Sequence, residues 1–134
     1  MKKCIFCDIA AKKAGAYIVY ENRSVIAFLD IRPAAAGHTL VVPKHHYEKL
    51  SDMPPSAARS LMTAMHTIVR YYNSKGIRNL NVMHASGRAA QQSVPHCHFH
   101  IVPRKRNDRL NLWYKSVKQK PLDFEALVKK LRFR

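Results

Sequence analysis
Apolar and polar positions along the chain change period several times, and each change marks an element. Residues 4–13 read as a short helix, with Gly15 after it as a stop. Residues 18–20 and 25–29 are apolar and β-branched and read as two strands, with the polar run Glu21-Asn22-Arg23-Ser24 between them as a hairpin turn. Residues 33–37 form a loop. Residues 39–42, Thr-Leu-Val-Val, read as a third strand ended by Pro43. The period then becomes helical. Residues 54–75 place Leu61, Met65, Ile68 and Tyr72 on one face, with prolines at the first turn and Gly76 just past the end. Residues 80–83 and 98–102 supply two more strands. Short links join neighbours everywhere except across the long helix. The pattern predicts an α+β fold: a five-stranded antiparallel sheet with one main helix and a short N-terminal helix, the helices on one side.

Length and composition add bounds. A chain of 134 residues suits a single domain spanning 1–134. Its hydrophobic share of 47% is that of a globular protein and argues against disorder. There is no uninterrupted apolar stretch of transmembrane length. The start, Met1-Lys2-Lys3-Cys4-Ile5-Phe6-Cys7-Asp8, carries an acid and two cysteines where a secretion signal needs a smooth apolar run. A cytoplasmic protein with no membrane partner is expected. Three cysteines, Cys4, Cys7 and Cys97, do not make a disulfide framework.

Charge points to a class of partner only weakly. The net charge is +16, and residues 104–134 hold eleven Lys/Arg against three Asp/Glu. Such a surface attracts nucleotides or nucleic acid, but it is equally a solvated face. Trp113 and Tyr114 lie among these basic residues. That pattern suits base stacking, or packing onto the domain or a second copy. Residues 122–131 form a terminal helix with an apolar stripe of Leu122, Phe124, Leu127 and Leu131.

The chemistry concentrates in His96-Cys97-His98-Phe99-His100-Ile101-Val102. On a strand, alternate side chains share a face, so three imidazoles line one surface with apolar groups behind them. Two readings follow. The three histidines hold a metal, since imidazole is a common zinc ligand. Alternatively, one imidazole is a nucleophile, which needs a free lone pair on Nε2 and a partner, such as a backbone carbonyl, holding the proton on Nδ1. Cys4 and Cys7 have the spacing of half a tetrahedral zinc site; two free thiols or a redox pair are the alternatives. Cys97, on the opposite face of its strand, reads as a small core residue.

The histidine run resembles the signature of the histidine-triad family. So do Cys4-Ile5-Phe6-Cys7, the segment Phe28-Leu29-Asp30-Ile31-Arg32-Pro33, the segment Gly37-His38-Thr39-Leu40-Val41-Val42-Pro43-Lys44-His45-His46, and Gln92-Ser93-Val94-Pro95-His96. Together these cover roughly residues 4–104, leaving a basic extension of about 105–134.

The resemblance implies a homodimeric nucleotide hydrolase or nucleotidyl transferase. It would cleave dinucleoside polyphosphates or nucleoside phosphoramidates at the α-phosphorus of a purine nucleotide through a nucleotidyl-histidine intermediate. His98 would attack and the His96 carbonyl would fix its tautomer. His100 and Ser93 would contact the phosphate, with Gln92 beside them. His38 would support the triad, Asp30 would accept from the ribose hydroxyls, and Ile5, Phe6, Phe28 and Ile31 would form the base slot. The zinc-containing members of the family imply a structural zinc on Cys4, Cys7, His46 and His96. Two positions depart from the pattern: Ala85 replaces an amide, and Gln91 replaces a glycine, both where relatives contact the phosphate chain and leaving group. His84 or Ser86 would then stand in for the amide. With the charge, these departures keep open a nucleotide- or nucleic-acid-associated binding module with weak catalysis, and a deadenylase acting on adenylylated nucleic-acid ends.

Overall fold
Turn chemistry and β-branched runs build the sheet in chain order. The computed structural model describes residues 3–113 and 120–133. Strand β1 (Ile18–Glu21) and β2 (Val25–Leu29) form a hairpin. Asn22 closes it, its side-chain oxygen accepting from the amides of Ser24 and Val25 at 2.9 and 2.8 Å. Strand β3 (Thr39–Pro43) returns against β2, in register from Val25 opposite Pro43 to Leu29 opposite Thr39. Helix α2 (Pro55–Ser74) crosses over, and β4 (Leu80–His84) and β5 (Phe99–Pro103) complete a five-stranded sheet in the order β1-β2-β3-β5-β4. Every pairing is antiparallel, as the sequence predicts.

Side chains alternate across the sheet and divide the core in two. Val25, Ala27, Val41 and Ile101 pack with Leu61, Ala64, Met65 and Ile68 of α2, and Cys97 is buried among them. On the other face Ile26, Phe28, Leu40 and Val42 pack with Phe6 and Ile9 of a short helix, α1 (Ile5–Ala10). The two helices therefore cover opposite faces, not one side. The period-2 pattern hides this because β2 and β3 are apolar on both faces and read as continuous runs.

The helix ends follow local stereochemistry. α2 starts with Pro55 at its first turn, and Gly76 at φ +86° follows it, as expected. α1 ends before Gly15: Lys12 takes the left-handed region at φ +60°, and the amides of Lys13 and Ala14 turn back onto the Asp8 carbonyl. No side chain caps the start of α1 at Cys4. A helix of six residues does not stand alone in water; its place depends on what holds it to the sheet.

Helix α3 (Phe124–Leu131) is capped by Asp123, whose side chain accepts from the Ala126 amide at 3.0 Å. Its apolar stripe is uncovered. Trp113 is exposed, and Tyr114 lies outside the described residues. Among the described residues no helix is long and apolar enough to cross a membrane.

Candidate functional site
The end of β2 and the start of β3 meet the middle of β5, because Leu29 pairs with Thr39 and Thr39 with Ile101. The Asp30 amide donates to the His38 carbonyl at 2.9 Å and closes the β2–β3 turn. Asp30, His38, His98 and His100 gather at this end of the sheet. His96 and His98 precede the β5 ladder, and the buried ring of His98 sits 4.9 Å from the half-buried ring of His100.

Backbone partners decide where each imidazole carries its proton, since a carbonyl only accepts and an N–H only donates. His98 donates from Nδ1 to the His96 carbonyl at 2.7 Å, so its Nε2 keeps a lone pair. His38 accepts at Nδ1 from the Ala34 amide at 3.0 Å, so its Nε2 carries a proton. That proton is donated to His100 Nδ1 at 2.9 Å, which leaves His100 with a proton on Nε2. The result is a lone pair on His98 next to a donor on His100. It is the arrangement required for attack on a phosphorus whose oxygens must be held.

Burial keeps these rings neutral. It lowers the pKa of His98 despite the hydrogen bond to the His96 carbonyl, which acts the other way. Burial, then His98 and His38, push His100 down to about 4. His38 is lowered by burial, with Asp30 opposing. Asp30 spends Oδ1 on the Arg32 amide at 2.8 Å, and its Oδ2 stands 3.7 Å from His38 Nε2.

The proposed base-slot residues divide into a floor and an outer pair. Phe6 meets Phe28 edge to face at 5.5 Å and His98 at 5.2 Å, and both phenyl rings are buried. Ile5 is half-exposed, and Ile31 is 81% exposed immediately after Asp30. Ser93 is exposed and lines a cavity of about 360 Å³ with Lys3, Ile5, Asp8 and Pro95. The Gln92 amide is committed to backbone groups: it accepts from Gly87 at 2.6 Å and donates to the carbonyls of Glu48 and Val94 at 2.7 and 3.0 Å. Arg104 is likewise tied down, by Asp108 at 2.8 Å, Asn81 at 2.7 Å and the Leu110 carbonyl. In the triad-flanking basic run, Lys105 and Arg106 are the exposed cations.

Cys4, Cys7, His46 and His96 bring one donor atom each within 4.8 Å of one another. Sγ of Cys4 lies 3.4 Å from His96 Nδ1, and Sγ of Cys7 lies 3.3 Å from His46 Nδ1 and 3.6 Å from His96 Nδ1. Tetrahedral zinc, with bonds near 2.3 Å to sulfur and 2.0–2.1 Å to nitrogen, spaces such ligands about 3.6 Å apart. His96 donates its Nε2 proton to the Pro43 carbonyl at 2.8 Å, so its Nδ1 offers a lone pair to the thiols. The residues fit a closed zinc site. Asp30, His38 and His100 also cluster, but the Nε2 proton of His38 lies on its bond to His100, which leaves that atom no lone pair for a cation.

Two groups in these networks carry no sequence signal of their own: the Ala34 amide and the Pro43 carbonyl belong to the backbone, whereas the His96 carbonyl stands where the resemblance expects it. His84 is held by the backbone and by a ring stack. It donates from Nδ1 to the His98 carbonyl at 2.8 Å and stacks on Phe99 at 4.4 Å, and its Nε2 is buried with no partner among the described residues. Ser86 receives the Leu50 amide at 3.4 Å.

Known proteins resemble this chain in sequence and fold. The Zn-bound histidine triad family protein of Mycobacterium smegmatis superposes with a TM-score of 0.76 at 37% identity, over 81% of this chain and 80% of its own. A HIT-like protein of Methanocaldococcus jannaschii is 41% identical over 129 residues, 96% of this chain and 98% of its own length. An adenosine 5'-monophosphoramidase of Saccharomyces cerevisiae is 38% identical over 109 residues, 81% of this chain and 66% of its own. The family model of the HIT domain matches residues 11–107; the chain belongs to the histidine-triad, or HIT, family.

Proposed function
We propose that this protein is a nucleotide hydrolase or nucleotidyl transferase that works through a nucleotidyl-His98 intermediate. One observation carries the reading: the lone pair of His98 Nε2 lies beside the Nε2 proton of His100, both set by hydrogen bonds. The His98 lone pair attacks the α-phosphorus of a purine nucleotide and forms a P–N bond as the bond to the leaving group breaks. An amine leaving group takes a proton from solvent water as it departs, and the hydrolysis that follows returns one to solvent. Water then cleaves the P–N bond, releases the nucleoside monophosphate and restores neutral His98. The His96 carbonyl stabilises the charge that develops on the imidazole, and His100, with Ser93, holds the phosphate oxygens. A preorganised donor of this kind is worth roughly 3 kcal/mol. Asp30 Oδ2 accepts from the ribose, and the base lies over Phe6 and Phe28, between Ile5 and Ile31. Gln92 acts by shaping the loop that carries Ser93.

The name of the yeast relative favours phosphoramidates as substrates, with dinucleoside polyphosphates next. A zinc on Cys4, Cys7, His46 and His96 supplies a structural cross-link, since protein donors fill all four positions. The uncovered stripe of α3 is the surface a second copy of the chain would cover in a homodimer. Turnover of adenosine 5'-phosphoramidate and diadenosine polyphosphates by wild type and His98→Ala tests the function. Loss of turnover in the variant is expected; undiminished turnover would overturn the assignment.

The second reading, a deadenylase of adenylylated nucleic-acid ends, is favoured by the charge of +16. Cleavage of 5'-adenylylated DNA at a rate well above that of the phosphoramidate, and falling steeply with salt, would establish it.

A further inference from the structure
Cys4 and Cys7 flank Ile5 and Phe6 in the sequence, so two of the four metal-fitting residues and two base-slot residues lie in or at the cap of one short helix. That helix has six residues and no side-chain cap, and it cannot hold its own shape. Phe6 is the piece of it that reaches the catalytic centre, edge-on to His96 at 5.8 Å, His98 at 5.2 Å and Phe28 at 5.5 Å.

His96 is tied at three points. Its Nδ1 faces the two thiols at 3.4 and 3.6 Å. Its Nε2 proton is donated to the Pro43 carbonyl, at the end of β3. Its own carbonyl accepts the Nδ1 proton of His98. Cys4 and His96 are 92 residues apart in sequence. Among the described contacts, that link joins the helix of the base slot directly to the residue that holds the nucleophile.

We propose that Cys4 and Cys7 are positioning residues for nucleotide binding: with His46 and His96 they clamp α1 onto the triad, so that one metal sets both the base slot and the orientation of His98. The proposal rests on the nucleotide reading of the His98 site. It goes beyond a metal that merely stabilises the fold, because binding free energies are reciprocal. If the loaded metal tightens the nucleotide, the nucleotide must tighten the metal by the same factor. The purely structural alternative requires no coupling between the two.

The probe is AMP, titrated calorimetrically into the full chain as the zinc-loaded protein, the zinc-stripped protein and Cys7→Ser. AMP is expected to bind at least tenfold more weakly to the stripped and variant proteins, and zinc is expected to restore the stripped one. A second measurement does not depend on the stripped protein staying folded. In the cobalt(II)-substituted protein, the visible ligand-field bands are expected to shift as AMP saturates, and chelator extraction of the metal to slow. Equal AMP affinity with and without metal, or bands and extraction unchanged at saturation, would overturn the clamp alone. No AMP binding to the zinc-loaded protein would overturn the nucleotide reading and the clamp with it.

Discussion

His38 Nε2 lies 2.9 Å from His100 Nδ1, and the proton between them belongs to His38 because the Ala34 amide occupies its other nitrogen. The chain of bonds ends in a proton on His100 Nε2, the donor that the proposed reaction assigns to the phosphate. His38 thus acts on the proposed reaction through His100. Replacement by Ala frees His100 to adopt either tautomer and to rotate. A fall in kcat of roughly tenfold to a hundredfold is expected, the scale of a small misplacement in an active site. Steady-state kinetics of His38→Ala on adenosine 5'-phosphoramidate, with nitrogen NMR of the His100 tautomer, measures it. An unchanged tautomer with unchanged kcat would show that the bond does nothing.

The neutral cluster predicts a direction for acid sensitivity. Facing His100 are His38 and Asp30 from the β2–β3 turn, His98 from its own segment and His84 from β4. Its pKa falls to about 4 in the folded chain, from near 6.5 unfolded. Between those values the unfolded chain binds more protons, so stability falls as pH drops from about 6.5 to 4, and His100 adds no pH dependence above about 7. The loss attributable to His100 is on the order of 2–3 kcal/mol across that range. Urea unfolding at pH 7 and pH 5, on wild type and His100→Gln, tests it. The variant is expected to lose less stability on acidification than wild type; an equal loss would remove His100 as the cause.

Gln91 stands at φ +69°, in the left-handed region that favours glycine. A side chain there costs roughly 1–2 kcal/mol, partly offset by the lower flexibility of glutamine in the unfolded chain. Gln91→Gly is therefore expected to stabilise the protein by about 0.5–1 kcal/mol, raising Tm by a few degrees. A lower Tm would mean that the Gln91 side chain makes compensating contacts.

His84 ties the His98 carbonyl to β4, where the β4–β5 ladder ends at His84 opposite Phe99. His84→Leu leaves that carbonyl without its donor and removes the aromatic stack. A loss of about 1–3 kcal/mol is expected, with kcat lowered more than KM rises. His84→Gln, which keeps a donor, is expected to recover part of kcat. Equal kcat in all three proteins would reduce His84 to a packing residue.

Much of this was legible in the chain. The strands, the long helix and the triad follow from periodicity and from alternation in 96–102. The same residues suggested a nucleophile only as one of two readings. The family resemblance favoured the nucleophile and named the His96 carbonyl; the Ala34 amide, which supports the same reading, is a backbone group that no side-chain pattern marks. The placement of α1 on the far face was hidden because Ile26, Phe28, Leu40 and Val42 are as apolar as their neighbours on the α2 face. The commitment of Gln92 and Arg104 to internal partners was hidden for a related reason: a polar side chain near a site reads the same whether it faces a ligand or a backbone carbonyl.

In the proposed reaction His98 becomes covalently bonded to the nucleotide. Rapid acid-free quenching of a single turnover with adenosine 5'-phosphoramidate, followed by proteolysis and mass spectrometry, tests it directly. A transient adenylyl group is expected on the peptide that carries His98, absent from His98→Ala and accumulating when hydrolysis is slowed. Full single-turnover product release with no adenylylated peptide, or the adduct on His96 or His100 instead, would contradict it.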